Sequence, residues 1–437
     1  MVSKNQSLIL GICCFATVLF FLGQPLYLFY LSIIYYIFYL IEFIRFKNLN
    51  VIYLAHVFIS TYFIVGLVVF NVYEFRALFL YNIDESLFNT HNLSKINYCY
   101  LISLSLLKWY YRPSYLRTIN TMEMSCCSVT NNTYARIVGI WAITYLICLS
   151  FIYFYLDGRY IWFIQDAKGS YELQVVWRVI SSGGLYLSAL LPLYRFNTPC
   201  AQGKIFYLAV FSASFILLLL GIRMYAVLLV FSVILNAQLR GYRYQGRSLY
   251  LFYIILGLFF LSFAIFRFQT FDYSNSFALL QTIFGEFIYP HSSAFYIIIN
   301  PLSFNFWPYS LQDLLFQILP FGLNDEFTPL LEGYTSFLFS NGLVAGYGGY
   351  FLLGQLYFYF GFLYFIPILI FSKFFCYADK ALDKKKKPYF LTVFPIFLLV
   401  LPRMEIWTLQ ALFYNFVFVL TVIAISKKPN RIDWKIK

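Results

Sequence analysis

Apolar residues come in long runs along this chain, and polar residues come in short breaks between them. The runs occupy 8–22, 26–43, 51–73, 97–111, 136–156, 173–194, 204–220, 224–239, 248–266, 347–372, 389–401 and 406–425. A helix needs about 20 apolar residues to cross the hydrocarbon core of a bilayer. The pattern therefore predicts an all-α fold, a polytopic transmembrane helical bundle of about 12 spans. Gly23-Gln24-Pro25 separates the first two spans, because Gly turns freely and Pro cannot continue a helix. One long stretch, Phe268 to Gly346, is not a span; nine runs precede it and three follow.

That stretch has its own periodicity. Over 277–289, Phe277, Leu280, Phe284, Phe287 and Ile288 fall on one helical face, with Gln281, Thr282, Gly285 and Glu286 opposite. Over 310–319, Leu311, Leu314, Leu315 and Ile318 share a face, and Ser310 with Asp313 reads as a helix start. Pro290, Pro301, Pro308, Pro320 and Pro329 divide the stretch into pieces. The expectation is one integral membrane domain over 1–437. Its large extracytoplasmic loop, 268–346, would carry short helices lying in the outer interface.

Composition agrees. The chain has 437 residues, 62% hydrophobic and 11% charged, with a mean hydropathy of +0.74. Soluble domains are about half apolar and about a quarter charged. The net charge of +13 does not signal a nucleic-acid partner, because the positive residues sit in short loops between spans. With the N-terminus inside, alternation puts 23 of the 31 Lys and Arg on the cytoplasmic side, including the run Lys384 to Lys387. Both termini are then expected in the cytoplasm, and the large loop outside. Lys4 and the run after it lack a small-x-small cleavage site, so an uncleaved first span is expected. None of the eight cysteines lies in the large loop, and no Cys/His spacing suits zinc. Neither a metal nor a cofactor is expected.

The candidate chemistry lies among the few outward cations and the acids around them. Gly221-Ile222-Arg223 interrupts an apolar run from Ile205 to Leu235 and would face outward. A guanidinium there has the fork to hold two phosphate oxygens at the depth of a lipid pyrophosphate headgroup. The alternative is a snorkelling arginine that caps a tight turn. Arg267 opens the large loop and Arg403 begins the last outer turn; each could also be an interfacial anchor. Together these arginines could neutralise a pyrophosphate leaving group, a task a metal performs elsewhere. Arg178, after Trp177, reads better as half of a structural ion pair.

If a sugar hydroxyl attacks an anomeric carbon, a general base is needed. Glu286 and His291 are the candidates, five residues apart across Pro290, with Asp325, Glu326 and Glu332 behind them. A loop histidine can also be incidental. His56, buried in a span, and His91, in a small loop, read as structural. The run Asn341 to Gly349 has four glycines, but no GxxxxGK[ST] pattern occurs, so a sugar nucleotide is not the expected donor.

In this order, Gly221-Ile222-Arg223, Arg267, Gly346-Tyr347-Gly348-Gly349-Tyr350 through Gln355, Tyr357, Phe360 and Gly361, and finally Arg403 resemble the bacterial O-antigen polymerases of the Wzy type. The likeness covers roughly the second half of the chain. Ile222 stands where the family often has Ser or Asn, and Gln355 where it often has an acid. The resemblance implies a metal-independent membrane glycosyltransferase of the bacterial inner membrane. It would join oligosaccharide repeat units carried on undecaprenyl pyrophosphate, at the periplasmic face. Its partners would be that lipid-linked oligosaccharide, membrane lipid and a chain-length regulator protein. Two rivals share much of the pattern: the ligase that moves finished polymer onto lipid A core, and a flippase. A transporter would place ionisable residues near the midplane and repeat its halves, and no repeat is visible. A membrane acyltransferase would want a buried His with a polar neighbour, which Leu54-Ala55-His56-Val57 does not supply in the chain.

Overall fold

The computed structural model describes residues 4–45, 51–80, 83–111, 132–156, 171–194, 204–220, 222–240, 288, 290–299, 351–384, 388–395 and 407–426. No strand occurs among them. The helices are α1 (Lys4–Phe21), α2 (Pro25–Arg45), α3 (Val51–Asn71), α4 (Tyr73–Phe79), α5 (Thr90–Leu107), α6 (Asn132–Tyr155), α7 (Tyr171–Leu190), α8 (Lys204–Leu219), α9 (Arg223–Leu239), α10 (290–299), α11 (Leu352–Phe360), α12 (Phe365–Lys384) and α13 (Trp407–Ser426). Four stretches are long and apolar enough to cross a membrane: Pro25–Glu42, Val51–Asn71, Thr133–Tyr155 and Gly361–Leu382. Shorter apolar helices cover Asn5–Phe21, Val179–Leu193, Ile205–Leu219, Tyr225–Leu239 and Tyr414–Ser426. Twelve spans were expected, and 248–266 lies outside the described residues.

The surface carries the same message as the lengths. Phe21 is 80% exposed, Phe154 74% and Ile205 77%. Ser32, Asn97, Ser103 and Asn236, all polar, are fully enclosed. Apolar groups outside and polar groups inside suit a hydrocarbon solvent, where every backbone and side-chain polar atom must find its partner within the protein. These helices are compatible with a membrane protein.

The contacts divide the chain into two compact units. In the first, α5 packs on α1, α2 and α3, and α2 packs on α3. The turn from α1 to α2 follows from three residues. Gly23 takes φ +62, its N–H donates to the Phe20 carbonyl at 2.9 Å, and the Gln24 N–H donates to the Leu19 carbonyl at 3.0 Å. That pair of bonds satisfies carbonyls the helix end leaves open, and Pro25 then opens α2, where its missing N–H costs nothing. A closed amide network ties the same end of the unit. Asn71 and Asn97 exchange side-chain bonds of 2.8 Å in both directions. Their remaining N–H groups donate to Leu67 O at 2.8 Å and Pro25 O at 2.9 Å.

The expected span 347–372 is not one helix. Gly361 takes φ +53 and stops α11; a short 3-10 turn, Gly361–Tyr364, follows, and α12 runs on to Lys384. Pro367 lies in the first turn of α12, where a proline is tolerated. Likewise, Pro290 does not separate a helix from a loop. Residue 288 and residues 290–299 are all helical, and Ser293 Oγ donates to the Pro290 carbonyl at 2.7 Å. The Phe351 N–H reaches the same carbonyl at 3.3 Å. Of the helix expected over 277–289, Ile288 is helical and buried; the rest, and all of 310–319, lies outside the described residues.

In the second unit α6 packs on α7 and α8, and α9 on α7 and α8. A Cβ at Gly183 of α7 would collide with the Tyr145 ring, whose hydroxyl donates to Ile180 O at 2.8 Å. Asn236 of α9 donates to the carbonyls of Pro192 at 3.0 Å and Tyr194 at 2.7 Å, and accepts from the Tyr207 hydroxyl at 2.7 Å. From Leu412 onward α13 belongs here, with Phe418 against Trp141 and Tyr186.

Gly354 of α11 gives the sharpest packing prediction. A Cβ there would lie 2.7 Å from the Ala294 Cα, a backbone atom with no rotamer to change. Gly354→Ala is expected to destabilise by about 1–3 kcal/mol through overpacking. Gly11→Ala meets nothing within 4 Å and serves as the control. Thermal unfolding of the detergent-solubilised pair checks this, and equal midpoints would contradict the close helix contact.

Candidate functional site

Among the five residues singled out, the structure places the side chain of one. His291 is at the start of α10, fully buried rather than on a loop. Its Nδ1 lies 2.8 Å from the Tyr100 hydroxyl of α5. The ring fits where α3 has Gly66: a Cβ on that residue would sit 2.5 Å from Nδ1 and 2.8 Å from the Tyr100 ring. The Phe351 ring lies tilted with its centroid 4.2 Å from that of the imidazole, and Phe70 meets it edge-on at 6.2 Å. Nε2 has no hydrogen-bond partner among the described residues. The Tyr62 main chain is close enough to act on the ring without meeting hydrogen-bond geometry at Nε2. The pocket is aromatic, so a partnerless Nε2 is an unmet polar atom in a place where that is costly.

Arg223 is the first residue of α9, after Ile222 in the N-cap position. The helix before it closes with the Leu220 N–H on Ile216 O at 2.9 Å and the Ile222 N–H on Leu217 O at 2.8 Å. The break expected at Gly221-Ile222-Arg223 thus falls between α8 and α9, two helices that pack together; Gly221 itself lies outside the described residues. No acidic residue lies in the first turn of α9, and no side chain caps it. Arg223 belongs to the second unit and His291 to the first. Arg267, Arg403 and Glu286 lie outside the described residues.

His56, expected to be buried and structural, has polar partners that were not anticipated. His56 of α3 has only apolar neighbours in the chain, yet folding brings polar groups from α2 and α5. Its Nε2 is 3.1 Å from the Leu107 carbonyl, which can only accept, so Nε2 carries the proton. Nδ1 then accepts from the Tyr39 hydroxyl at 2.5 Å, with Ser60 Oγ at 3.5 Å. Tyr111 stacks on the ring at 4.7 Å. Beside it Lys108 forms an ion pair with Glu42 and lies 4.6 Å over the Tyr39 ring. Both nitrogens of His56 are satisfied, and its bond to Leu107 caps the end of α5. This is the arrangement of a structural histidine. Ser60, four residues on along the same helical face, was the one sequence signal of polar company.

Another interior cation of the first unit, Arg76, also has identifiable partners. Arg76 pairs with Glu85 at 2.8 Å, donates to Phe70 O at 3.0 Å and lies 4.9 Å over the Phe88 ring. It thereby satisfies a carbonyl at the end of α3. No group of three or more His, Cys, Asp and Glu side chains that could hold a metal occurs among the described residues. Compared with known proteins, the chain matches no family model, no curated protein and no solved structure.

Removing the Tyr100 hydrogen bond of His291 is expected to be costly. Tyr100→Phe takes away the hydroxyl that meets Nδ1 in an aromatic pocket, at about 1–3 kcal/mol. Tyr30→Phe, at an exposed site on α2, is expected to change stability by less than about 0.5 kcal/mol. Thermal unfolding compares the two. If Tyr100→Phe is as stable as the wild type, the bond does not anchor the imidazole.

Proposed function

We propose that this protein polymerises oligosaccharide repeat units carried on undecaprenyl pyrophosphate, at the outer face of a bacterial cytoplasmic membrane. The reading assigns pyrophosphate binding to Arg223, Arg267 and Arg403, and activation of the acceptor hydroxyl to Glu286 or His291. The growing chain leaves its carrier as the acceptor oxygen bonds to its anomeric carbon; the acceptor proton passes to the base, and the pyrophosphate leaves with the electron pair of the broken bond. The site works without a metal, the arginines meeting the charge that develops on the leaving group.

The observation that supports this most is the position of Arg223. A cation at the N-terminus of a helix meets the positive end of the helix dipole, an arrangement that costs about 0.3–1 kcal/mol. No carboxylate in the first turn offsets it. An arginine and open backbone N–H groups at the same helix end both favour an anion. At a break between two apolar helices, the anion within reach is one borne by a lipid.

Of the two candidate bases, Glu286 is the one to test first, because His291 is closed in on all sides. A buried imidazole could act only if α10 opened. Its burial instead fits a role in holding α10 against α3 and α5.

The test is complementation of a deletion strain, with surface polysaccharide resolved on a gel. Loss of the ladder, with core bearing a single repeat unit, is the expected phenotype of the deletion. Arg223→Glu is expected to leave that phenotype uncorrected, and Arg223→Lys to restore short chains, since lysine keeps the charge but loses the fork. A full ladder from Arg223→Glu, expressed at the wild-type level, would remove the central assignment. Polymer accumulating on its lipid carrier would indicate the ligase instead, and repeat units stranded on the cytoplasmic face would indicate the flippase.

A further inference from the structure

We infer that Lys95 and Tyr357, in the first unit, form a binding site for a phosphate group. The inference does not depend on the polymerase reading and concerns none of the residues assigned above. It begins from the accounting of interior cations. Lys108 has Glu42, Arg76 has Glu85, and Arg240 donates to the Tyr207 hydroxyl. Lys95 is half-buried on α5 and has neither an ion pair nor a hydrogen bond among the described residues. Its ammonium lies 5.5 Å from the centroid of the Tyr357 ring on α11. The Tyr357 hydroxyl is buried and also has no partner among the described residues.

An ammonium and the ring of a tyrosine on a second helix are therefore adjacent, and neither the ammonium nor the tyrosine hydroxyl has an acceptor among the described residues. The aromatic face compensates the ammonium in part, but it does not use the three N–H donors. A backbone carbonyl or a water could satisfy the hydroxyl, yet neither would offset the charge. A metal cation would be repelled. An oxyanion meets both needs: it accepts from the hydroxyl and from the ammonium, and it neutralises the lysine.

Position narrows the oxyanion to a phosphate. The segment before α5 is polar, with Asp84 accepting from the Ser86 N–H and Asn89 capping the helix through the Asn92 N–H at 3.0 Å. From Lys95 onward the helix turns apolar and buried. Lys95 lies about 7 Å along the helix from Thr90, at about 1.5 Å per residue. If that change of polarity marks the edge of a bilayer, Lys95 is at the level of lipid phosphates. The phosphate can belong to a bilayer lipid or to a free phosphorylated ligand, and the chemistry of the site is the same for both.

The experiment titrates the full-length, detergent-solubilised protein with phosphatidylglycerol and reads bound lipid by native mass spectrometry. The wild type is expected to retain one lipid more than Lys95→Met, and Lys95→Met to bind that lipid at least about tenfold more weakly, the loss of one charge-assisted bond. Lys95→Arg is expected to keep it. Tyr357→Phe separates a site from a scaffold. Removing a hydroxyl that has no partner should leave thermal stability without ligand unchanged or slightly raised, while weakening lipid binding severalfold. Displacement of the lipid by millimolar inorganic pyrophosphate supports the site with a free phosphorylated ligand; resistance to it supports the site with a lipid headgroup. Equal lipid retention by wild type, Lys95→Met and Tyr357→Phe would overturn the inference and make Lys95 a snorkelling lysine. Absence of binding of either probe to the wild type would overturn it too.

Discussion

A missing Cβ at residue 66 sets the centre of the first unit. Only glycine there lets α3 admit the His291 imidazole and the Tyr100 ring side by side. α10, α5 and α11 meet α3 at that notch, through His291, Tyr100 and Phe351. α3 is accordingly the most enclosed of the candidate spans, with 72% of its apolar window buried. In a bilayer, with which these helices are compatible, the constraint would be stronger than in water. A displaced polar ring could not be rescued by water in hydrocarbon, so its shape and its hydrogen bond must be supplied together.

The same necessity explains the other interior polar groups. Asn71 with Asn97, His56 with Tyr39 and Leu107, and Asn236 with Pro192, Tyr194 and Tyr207 each use side-chain donors and acceptors to close off a helix end or a turn. These groups hold helices together. What they leave over is informative in the opposite sense. Arg223 begins a helix whose dipole opposes it, and Lys95 is half-buried without an oxygen partner among the described residues. Neither placement stabilises the fold by itself, and an anion, as proposed above, would offset each.

The all-helical class and several helix ends were legible in the sequence, because apolar runs and their breaks encode helix ends locally. The Gly23-Gln24-Pro25 turn and the break before Arg223 were both readable, since Gly, Pro and a lone Arg in an apolar run have few structural uses. The break at Gly361 was not. Its flanks, Phe360 and Phe362, are as apolar as the helices they separate, so hydropathy runs straight through a change that needs a positive φ. His291 was misplaced for a related reason. Pro290 reads as a helix breaker, but the Pro290 carbonyl is taken up by Ser293 and by Phe351, a residue sixty-one positions on in the chain. Partners from other helices leave no trace in local periodicity; the company of His56 was invisible in the same way. Of the candidate site, the break before Arg223 was legible, while the surroundings of His291 required the fold.

The most direct test of the proposed function uses purified protein in sealed vesicles supplied with one defined repeat unit on undecaprenyl pyrophosphate, in the presence of a metal chelator. The account predicts a ladder of lipid-linked chains longer than one unit and release of undecaprenyl pyrophosphate, roughly one molecule for each bond formed. Repeat units that stay single, with or without crossing the bilayer, would contradict it.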